Sequence, residues 1–368
     1  MPEPIKDLED QIARWIPPEL RARSAYAVPD ASGYVKLDAM ENPYPLPDSL
    51  VSSWLDALRD VPLNRYPDPS ARRLKARLRE VMDLPQEAGL VLGNGSDELI
   101  QLVVMALRGP GRVVLAPEPT FVMYRLSALA VGFEYVGVPL DRRGFDLPLD
   151  ALLAEVQRHQ PAAIFLAHPN NPTGTLYSAE AVCAVVANAP GLVVVDEAYA
   201  PFAQASLLPQ LLRYPNLLVM RTLSKLGLAG LRLGLLAGRR EWLEEIDKLR
   251  LPYNVNALTQ ASADFALGHY ATFEEQAARI RADRDALYVE LAALGGVEVW
   301  PSRANFLLFR VPKGRAGAVD AGLRARGVLV KNLHGASPML ADCLRVTIGT
   351  PHENRAFLDA LKAVLEEI

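Results

Sequence analysis

Leu192-Val193-Val194-Val195-Asp196-Glu197-Ala198-Tyr199 is the stretch whose reading decides the fold. Four consecutive aliphatic residues, three of them β-branched, suit a strand covered on both faces rather than a half-exposed one. An acid directly after such a run faces the edge of the sheet, where desolvation makes an unpaired carboxylate costly, so Asp196 calls for a cationic partner. Tyr199, three residues on, can reach the same ligand with its phenol. Runs of the same kind occur at Gly89–Leu92, Arg112–Ala116, Ala162–Ala167 and Leu217–Met220. Helical stretches at Ser96–Leu107, Phe121–Val131, Leu149–Arg158 and Ser178–Ala187 alternate with them. That alternation predicts an α/β protein with a large, doubly wound, mostly parallel sheet.

The last hundred residues follow another rhythm. A long helix is expected over Thr272–Leu294, capped by Gly295-Gly296, then strands near Val297–Trp300, Asn305–Arg310, Val328–Lys331 and Leu344–Ile348. A final amphipathic helix places Phe357, Leu361, Val364, Leu365 and Ile368 on one face. This reads as a smaller α+β C-terminal domain over 256–368, after a large domain over 48–255. Residues 1–47 are proline-rich and read as an arm draped over the rest, with a short strand at Tyr34–Leu37.

Composition narrows the function. The 368 residues carry 39 Lys+Arg against 43 Asp+Glu, a net charge of −4 too balanced for a general nucleic-acid binder. Two cysteines, Cys183 and Cys343, make no disulfide framework, and five scattered histidines show no metal-ligand spacing. With no apolar N-terminal run and no membrane-length segment, a soluble cytoplasmic protein is expected, without metal and without membrane contact.

Three further segments lie at the C-terminal ends of expected strands, the edge at which open α/β sheets bind ligands. Gly93-Asn94-Gly95-Ser96-Asp97-Glu98 is a strand–turn–helix junction that can cradle an anion, although an ordinary capped turn has the same composition. Glu98 stands where a dinucleotide fingerprint needs its third glycine. Pro169-Asn170-Asn171-Pro172-Thr173-Gly174 is either a bland turn or a rigid presentation of an Asn amide. Arg221 to Gly234 is glycine-rich without the Gly-Lys-Ser/Thr ending of a P-loop, and Lys225, flanked by apolar residues, suits an amine nucleophile of depressed pKa. Taken alone, a solvated surface lysine explains Lys225 better.

Together with Lys36-Leu37, Glu41-Asn42-Pro43-Tyr44, Arg65-Tyr66-Pro67-Asp68, Pro119-Thr120-Phe121-Val122-Met123-Tyr124 and Leu344-Arg345-Val346-Thr347-Ile348-Gly349, these segments run in one order over nearly the whole chain. In that order the chain resembles the fold-type I pyridoxal-phosphate-dependent aminotransferases, and within them the histidinol-phosphate aminotransferase family. The resemblance implies pyridoxal 5'-phosphate as cofactor and Lys225 as its Schiff-base lysine and proton shuttle. It implies Asp196 against the pyridine nitrogen, Tyr199 and Asn171 on the phenolic oxygen, and Tyr124 stacked on the ring. The phosphate would be held by Ser96, Asp97, Ser224 and Arg232, with Tyr66 reaching in from the second subunit of a homodimer with shared active sites. Arg345 would clamp the substrate anion, with Lys331 and Tyr26 near the substrate phosphate and Asn171 also in contact with substrate.

The implied reaction passes the amino group of L-glutamate to imidazole acetol phosphate, giving 2-oxoglutarate and L-histidinol phosphate, a step of histidine biosynthesis. An aromatic amino-acid aminotransferase and a threonine-phosphate decarboxylase need the same cofactor residues, and a non-catalytic cofactor-binding regulator is a reading of another class. Three departures from the family pattern stand out. Lys225 and Arg232 are seven positions apart instead of the usual eight, Met40 stands where Asn is common, and Lys331 replaces an arginine. His168 is expected to be a turn residue, Cys183 core, and Arg72, Arg73, Arg77 and Arg79 a solvated helix face.

Overall fold

Val193, Val194 and Val195 are fully buried, and they point alternately into two different apolar cores. Val193 and Val195 join Leu217, Val219 and Leu166 on one face, while Leu192 and Val194 join Leu218, Met220 and Phe165 on the other. A strand with period-two side chains between two cores must be apolar at every position.

The computed structural model describes residues 8–22 and 29–367. The chain divides into two units, Met1–Gly33 and Tyr34–Ile368. In the first, helices cover Leu8–Trp15 and Pro18–Arg21, with an Arg21–Glu9 ion pair at 2.6 Å. In the second, the described strands are β1 (Val35–Leu37), β2 (Ala88–Gly93), β3 (Val113–Glu118), β4 (Glu134–Pro139), β5 (Ala163–Ala167) and β6 (Leu192–Asp196). They continue as β7 (Leu217–Thr222), β8 (Gly234–Arg239), β9 (Glu298–Val299), β10 (Phe306–Arg310), β11 (Val328–Asn332) and β12 (Cys343–Thr347).

The large sheet has the order β2-β8-β7-β6-β5-β3-β4 and is parallel except for β8, which runs antiparallel to both β2 and β7. The α/β fold with a doubly wound, mostly parallel sheet is as expected. A five-stranded sheet, β1-β11-β12-β10-β9, packs a separate core of Phe306, Phe309, Leu344, Phe357 and Leu361. Residues 35–37 of the expected arm are thus a strand of this small sheet, parallel to β11.

Two strands escaped the sequence reading. β4 is a partly exposed edge strand containing Gly137 and ending in Pro139, so no apolar run marks it. β8 begins at Gly234, where the glycine-rich segment ends, and its glycines break the apolar run that would mark a strand. Its glycines mark close backbone approach instead: a Cβ on Gly238 would lie 2.3 Å from Leu218 Cδ2. The long helix spans Tyr270–Ala292 and is capped at Ala293 rather than at Gly295-Gly296.

Arg72 and Arg73 are exposed, as expected of a solvated face, whereas Arg77 and Arg79 are half-buried. In the helix Arg72–Val81, Arg73 pairs with the buried Asp264 at 2.7 Å, and Arg79 donates to the carbonyls of Pro85 (2.8 Å) and Ala88 (2.7 Å). These guanidiniums tie the helix to its neighbours. His168 is a buried turn residue whose Nε2 lies 2.9 Å from the Tyr177 carbonyl, and burial pushes its pKa down. Cys183 packs half-buried against the core. In the terminal helix Pro351–Glu367, Phe357, Leu361 and Val364 are buried and Leu365 partly so; Ile368, like Tyr26, lies outside the described residues.

Candidate active site

Parallel strands deliver their C-terminal ends to one edge, and the following residues meet there. Ser96 and Asp97 follow β2, Asn171 follows β5, Asp196 ends β6, and Ser224 and Lys225 follow β7. All six line one cleft together with Tyr124, Tyr199 and Arg232. Met40, Phe121, Ala167, Pro169, Ala198 and Thr222 complete it.

The anion end is built from a helix start. Ser96 opens the helix Ser96–Ala106, whose first N–H groups have no partner within the helix. Thr222 Oγ1 donates to Ser224 Oγ at 2.9 Å, Arg232 Nη1 lies 3.4 Å from the same oxygen, and Arg232 Nη2 is 3.5 Å from Asp97 Oδ2. The seven-residue spacing therefore still delivers the guanidinium. The connection runs through a π-type turn over Ser224–Leu228, with Gly227 at φ 131°, to a left-handed Arg232 at φ 50°.

Here β8 matters. A Cβ on Gly234 would lie 2.7 Å from the Gly95 carbonyl carbon and 2.8 Å from the Ser96 nitrogen, both main-chain atoms that cannot rotate away. Gly234→Ala is expected to cost about 1–3 kcal/mol of stability by overpacking. It should also raise the dissociation constant for pyridoxal phosphate, the cofactor that the resemblance implies, at least as much as Ser224→Ala does, because it displaces the cradle itself. Thermal melting and a fluorescence titration check both.

Asp196 forms the opposite end. It is 5 % exposed, and burial lifts its pKa from 3.8 to about 6 against the lowering effect of its hydrogen bonds. Tyr124 donates to Oδ2 at 2.7 Å and the Ala198 N–H to Oδ1 at 3.0 Å. Among the described residues no Lys or Arg forms an ion pair with it. A buried carboxylate in that position fits a ligand carrying a protonated ring nitrogen. Tyr124 thus has a second task that the sequence did not suggest, and one face of its ring already stacks on Phe165 with centroids 4.8 Å apart. Phe121, edge-on to Tyr124 at 5.6 Å, is an aromatic wall that the sequence reading missed.

Between the two ends stands Lys225. Its Nζ donates to the Ala39 carbonyl at 3.0 Å, and burial first, then the charge of Arg345, lower its pKa from 10.5 to about 8. The lysine therefore holds a useful fraction of neutral amine near neutral pH. The segment carrying Ala39 is pinned by Asn42, whose Nδ2 donates to the Leu226 carbonyl (2.8 Å) and to Gln276 Oε1 (2.9 Å). Asn42 has no task legible along the chain beyond its motif, because its partners are 184 and 234 positions away.

Arg345 donates through Nη1 to Asn171 Oδ1 and through Nη2 to the Asp38 carbonyl, the latter at 3.1 Å. Asn171 Nδ2 in turn donates to Tyr199 Oη at 3.1 Å. Lys331 sits directly across β11 and β12 from Arg345, so the two side chains share a face of the small sheet. Tyr66 does not line the cleft. It is 80 % exposed and stacks on Tyr253 at 4.3 Å.

Beneath the site, Glu197 turns the other way. It is buried and accepts from Arg221 Nε (2.9 Å) and Nη2 (2.7 Å), Ser206 Oγ (2.8 Å) and the Leu207 N–H (2.6 Å). That buried ion pair locks the ends of β6 and β7 together and so fixes the spacing between Asp196 and Lys225. No group of His, Cys, Asp and Glu suited to a metal ion occurs among the described residues.

Sequence comparison matches residues 32–361 to the family described as aminotransferase class I and II. A histidinol-phosphate aminotransferase of Nitrosococcus oceani is 54% identical over 96% of this chain and 98% of its own length. One from Cupriavidus pinatubonensis is 54% identical over 97% of this chain and 98% of its own. Among solved structures, the histidinol-phosphate aminotransferase of Sinorhizobium meliloti in complex with pyridoxal-5'-phosphate superposes with a TM-score of 0.86 at 25% identity, covering 96% of this chain and 98% of that one.

Proposed function

The chain belongs to the class I and II aminotransferase family, and from that premise we propose that it is a pyridoxal-phosphate enzyme that interconverts L-histidinol phosphate and imidazole acetol phosphate with 2-oxoglutarate and L-glutamate. The observation that carries this reading is the pairing, in one cleft, of a buried carboxylate that forms no ion pair among the described residues, Asp196, with a buried lysine whose pKa is lowered to about 8, Lys225. The names of the relatives favour it over the aromatic and decarboxylase readings.

Bound pyridoxal phosphate supplies the electron sink for a carbanion, and the protein supplies binding, orientation and charge. Ser96 and Asp97 N–H groups, the Ser224 hydroxyl and Arg232 hold the phosphate. Asp196 keeps the ring nitrogen protonated. Asn171 and Tyr199 address the phenolic oxygen, and Tyr124 and Phe121 wall the ring. Lys225, held over the cleft by the Ala39 carbonyl, takes the proton from the substrate α-carbon and returns it. Arg345 binds the glutamate carboxylate in one half-reaction and, with Lys331, the phosphate ester in the other; its planar fork suits both anions. The working form is a cytoplasmic homodimer in which the exposed Tyr66 serves the partner's cofactor phosphate. In this division the cofactor machinery belongs to 48–255 and the substrate cations to 256–368.

The deciding experiment is a single-turnover titration of cofactor-loaded protein with L-histidinol phosphate, following the visible cofactor band. Bleaching by this substrate, faster than by phenylalanine and without release of carbon dioxide from threonine phosphate, is the expected result. Bleaching by phenylalanine alone would overturn the substrate.

Lysine protonation gives a further test. Cofactor loading of the ligand-free protein should quicken as pH rises, with a midpoint near 8, because only the neutral amine reacts. Arg345→Gln removes the second cause of the depressed pKa, so the midpoint should move upward. The same variant should raise KM for glutamate and histidinol phosphate alike by roughly 10²-fold, the scale of a truncated buried charge pair.

A further inference from the structure

Arginine can only donate hydrogen bonds, so the contact of Arg345 Nη1 with Asn171 Oδ1 fixes which way the Asn171 amide faces. Asn171 Nδ2 therefore donates to Tyr199 Oη, and the Tyr199 proton must go elsewhere. It points to Met40 Sδ, 3.2 Å away. A thioether is a weak acceptor, and a buried phenol usually finds a better one.

Met40 is held there by force. Its φ of 55° lies in the left-handed region that a long unbranched side chain rarely adopts. Its N–H donates to Thr347 Oγ1 at 2.9 Å and its carbonyl accepts from Asn305 Nδ2 at 3.0 Å, so both sides of the residue are clamped. The adjacent Ala39 offers Lys225 a full-strength carbonyl, whereas Met40 offers Tyr199 only a sulfur.

We infer that Met40 keeps the Tyr199 proton available to the cleft: its thioether is too weak an acceptor to hold that proton against a stronger acceptor bound there, as a strong acceptor at position 40 would. The inference rests on the reading above, in which that acceptor is the phenolic oxygen of pyridoxal phosphate. A phenol donates one hydrogen bond at a time, so a strong acceptor at position 40 competes with the ligand for it. The charged groups bearing on Tyr199 are Arg345 and Asp196, and neither is altered by changes at position 40.

The test is the pH midpoint of the visible band of the loaded protein, for the wild type, Met40→Gln and Met40→Leu, and for the first two again in a Tyr199→Phe background. Gln carries an amide oxygen and Leu no acceptor, while both approximate the volume of Met. Losing one net hydrogen bond to the ligand should raise the midpoint by about half to one pH unit in Met40→Gln. Met40→Leu should leave it in place, and the shift should vanish when Tyr199 is Phe. Equal shifts in both variants, no shift in Met40→Gln, or a shift that survives Tyr199→Phe would overturn the inference. If Met40→Gln fails to fold, mild peroxide treatment of the wild type converts the half-buried Met40 to its sulfoxide, a strong acceptor. The midpoint should then rise in proportion to the Met40 oxidation measured by mass spectrometry, and an unchanged midpoint would overturn the inference. A wild type with no visible band on adding pyridoxal phosphate would instead sink the cofactor reading, and this inference with it.

Discussion

Lys225→Ala is expected to lower turnover by about 10⁴-fold or more, the loss associated with removing a positioned proton carrier that is also the covalent anchor. Pyridoxal phosphate should still bind, because the Ser96–Asp97 helix start, Ser224, Arg232 and Asp196 are untouched. Its absorbance should then be that of the free aldehyde. A second readout separates chemistry from folding. Burial lowers the Lys225 pKa from 10.5 to about 8, so between these values the unfolded chain holds more protons than the folded one. Stability contributed at this site therefore rises with pH through that window. The difference in stability between wild type and variant should shift in favour of wild type by roughly 3 kcal/mol from pH 8 to 10.5, at about 1.4 kcal/mol per unit. A difference that is flat with pH would mean that Lys225 is not the strained amine described here.

Asp196→Asn pulls function and stability in opposite directions. The Asp196 pKa is raised, from 3.8 to about 6, so the folded protein binds more protons across that interval and loses stability as pH rises through it. Above pH 6 the full cost, on the order of 3 kcal/mol, is present in the ligand-free wild type and absent from the variant. The variant should therefore melt higher than the wild type at pH 7.5 and converge with it near pH 4. Turnover should fall nonetheless by about 10²–10⁴-fold, since breaking a buried charge pair costs about 3–5 kcal/mol. Differential scanning at two pH values together with single-turnover kinetics would check both halves. A destabilised variant at pH 7.5 would mean that Asp196 is satisfied without a ligand.

Asp196 was legible without coordinates because its immediate neighbours mark it: an acid after four aliphatics is a local pattern, and local pattern is what sets strand periodicity. Lys225, Ser96, Asp97 and Ser224 were not legible in that way, since a surface lysine and a capped turn have the same local composition; only the order of the motifs along the whole chain singled them out. Arg232 was readable as a candidate, yet only the π-type turn and its own left-handed backbone show how seven positions suffice to bring it to Ser224. β8 was not recognised as a strand because its glycines, which make room for Gly95 and Leu218, have no meaning until those partners are beside it.

The sequence by itself determined the α/β class, the strand ends that carry ligand groups, and the family. Tertiary structure alone decided that Met40 faces Tyr199 across 159 positions, that Arg345 orients Asn171 across 174, and that Asn42 pins the segment holding Lys225. Periodicity is a property of neighbouring residues and can be read along the chain. A hydrogen bond between distant residues exists only once two sheets have packed, and packing depends on every residue between them.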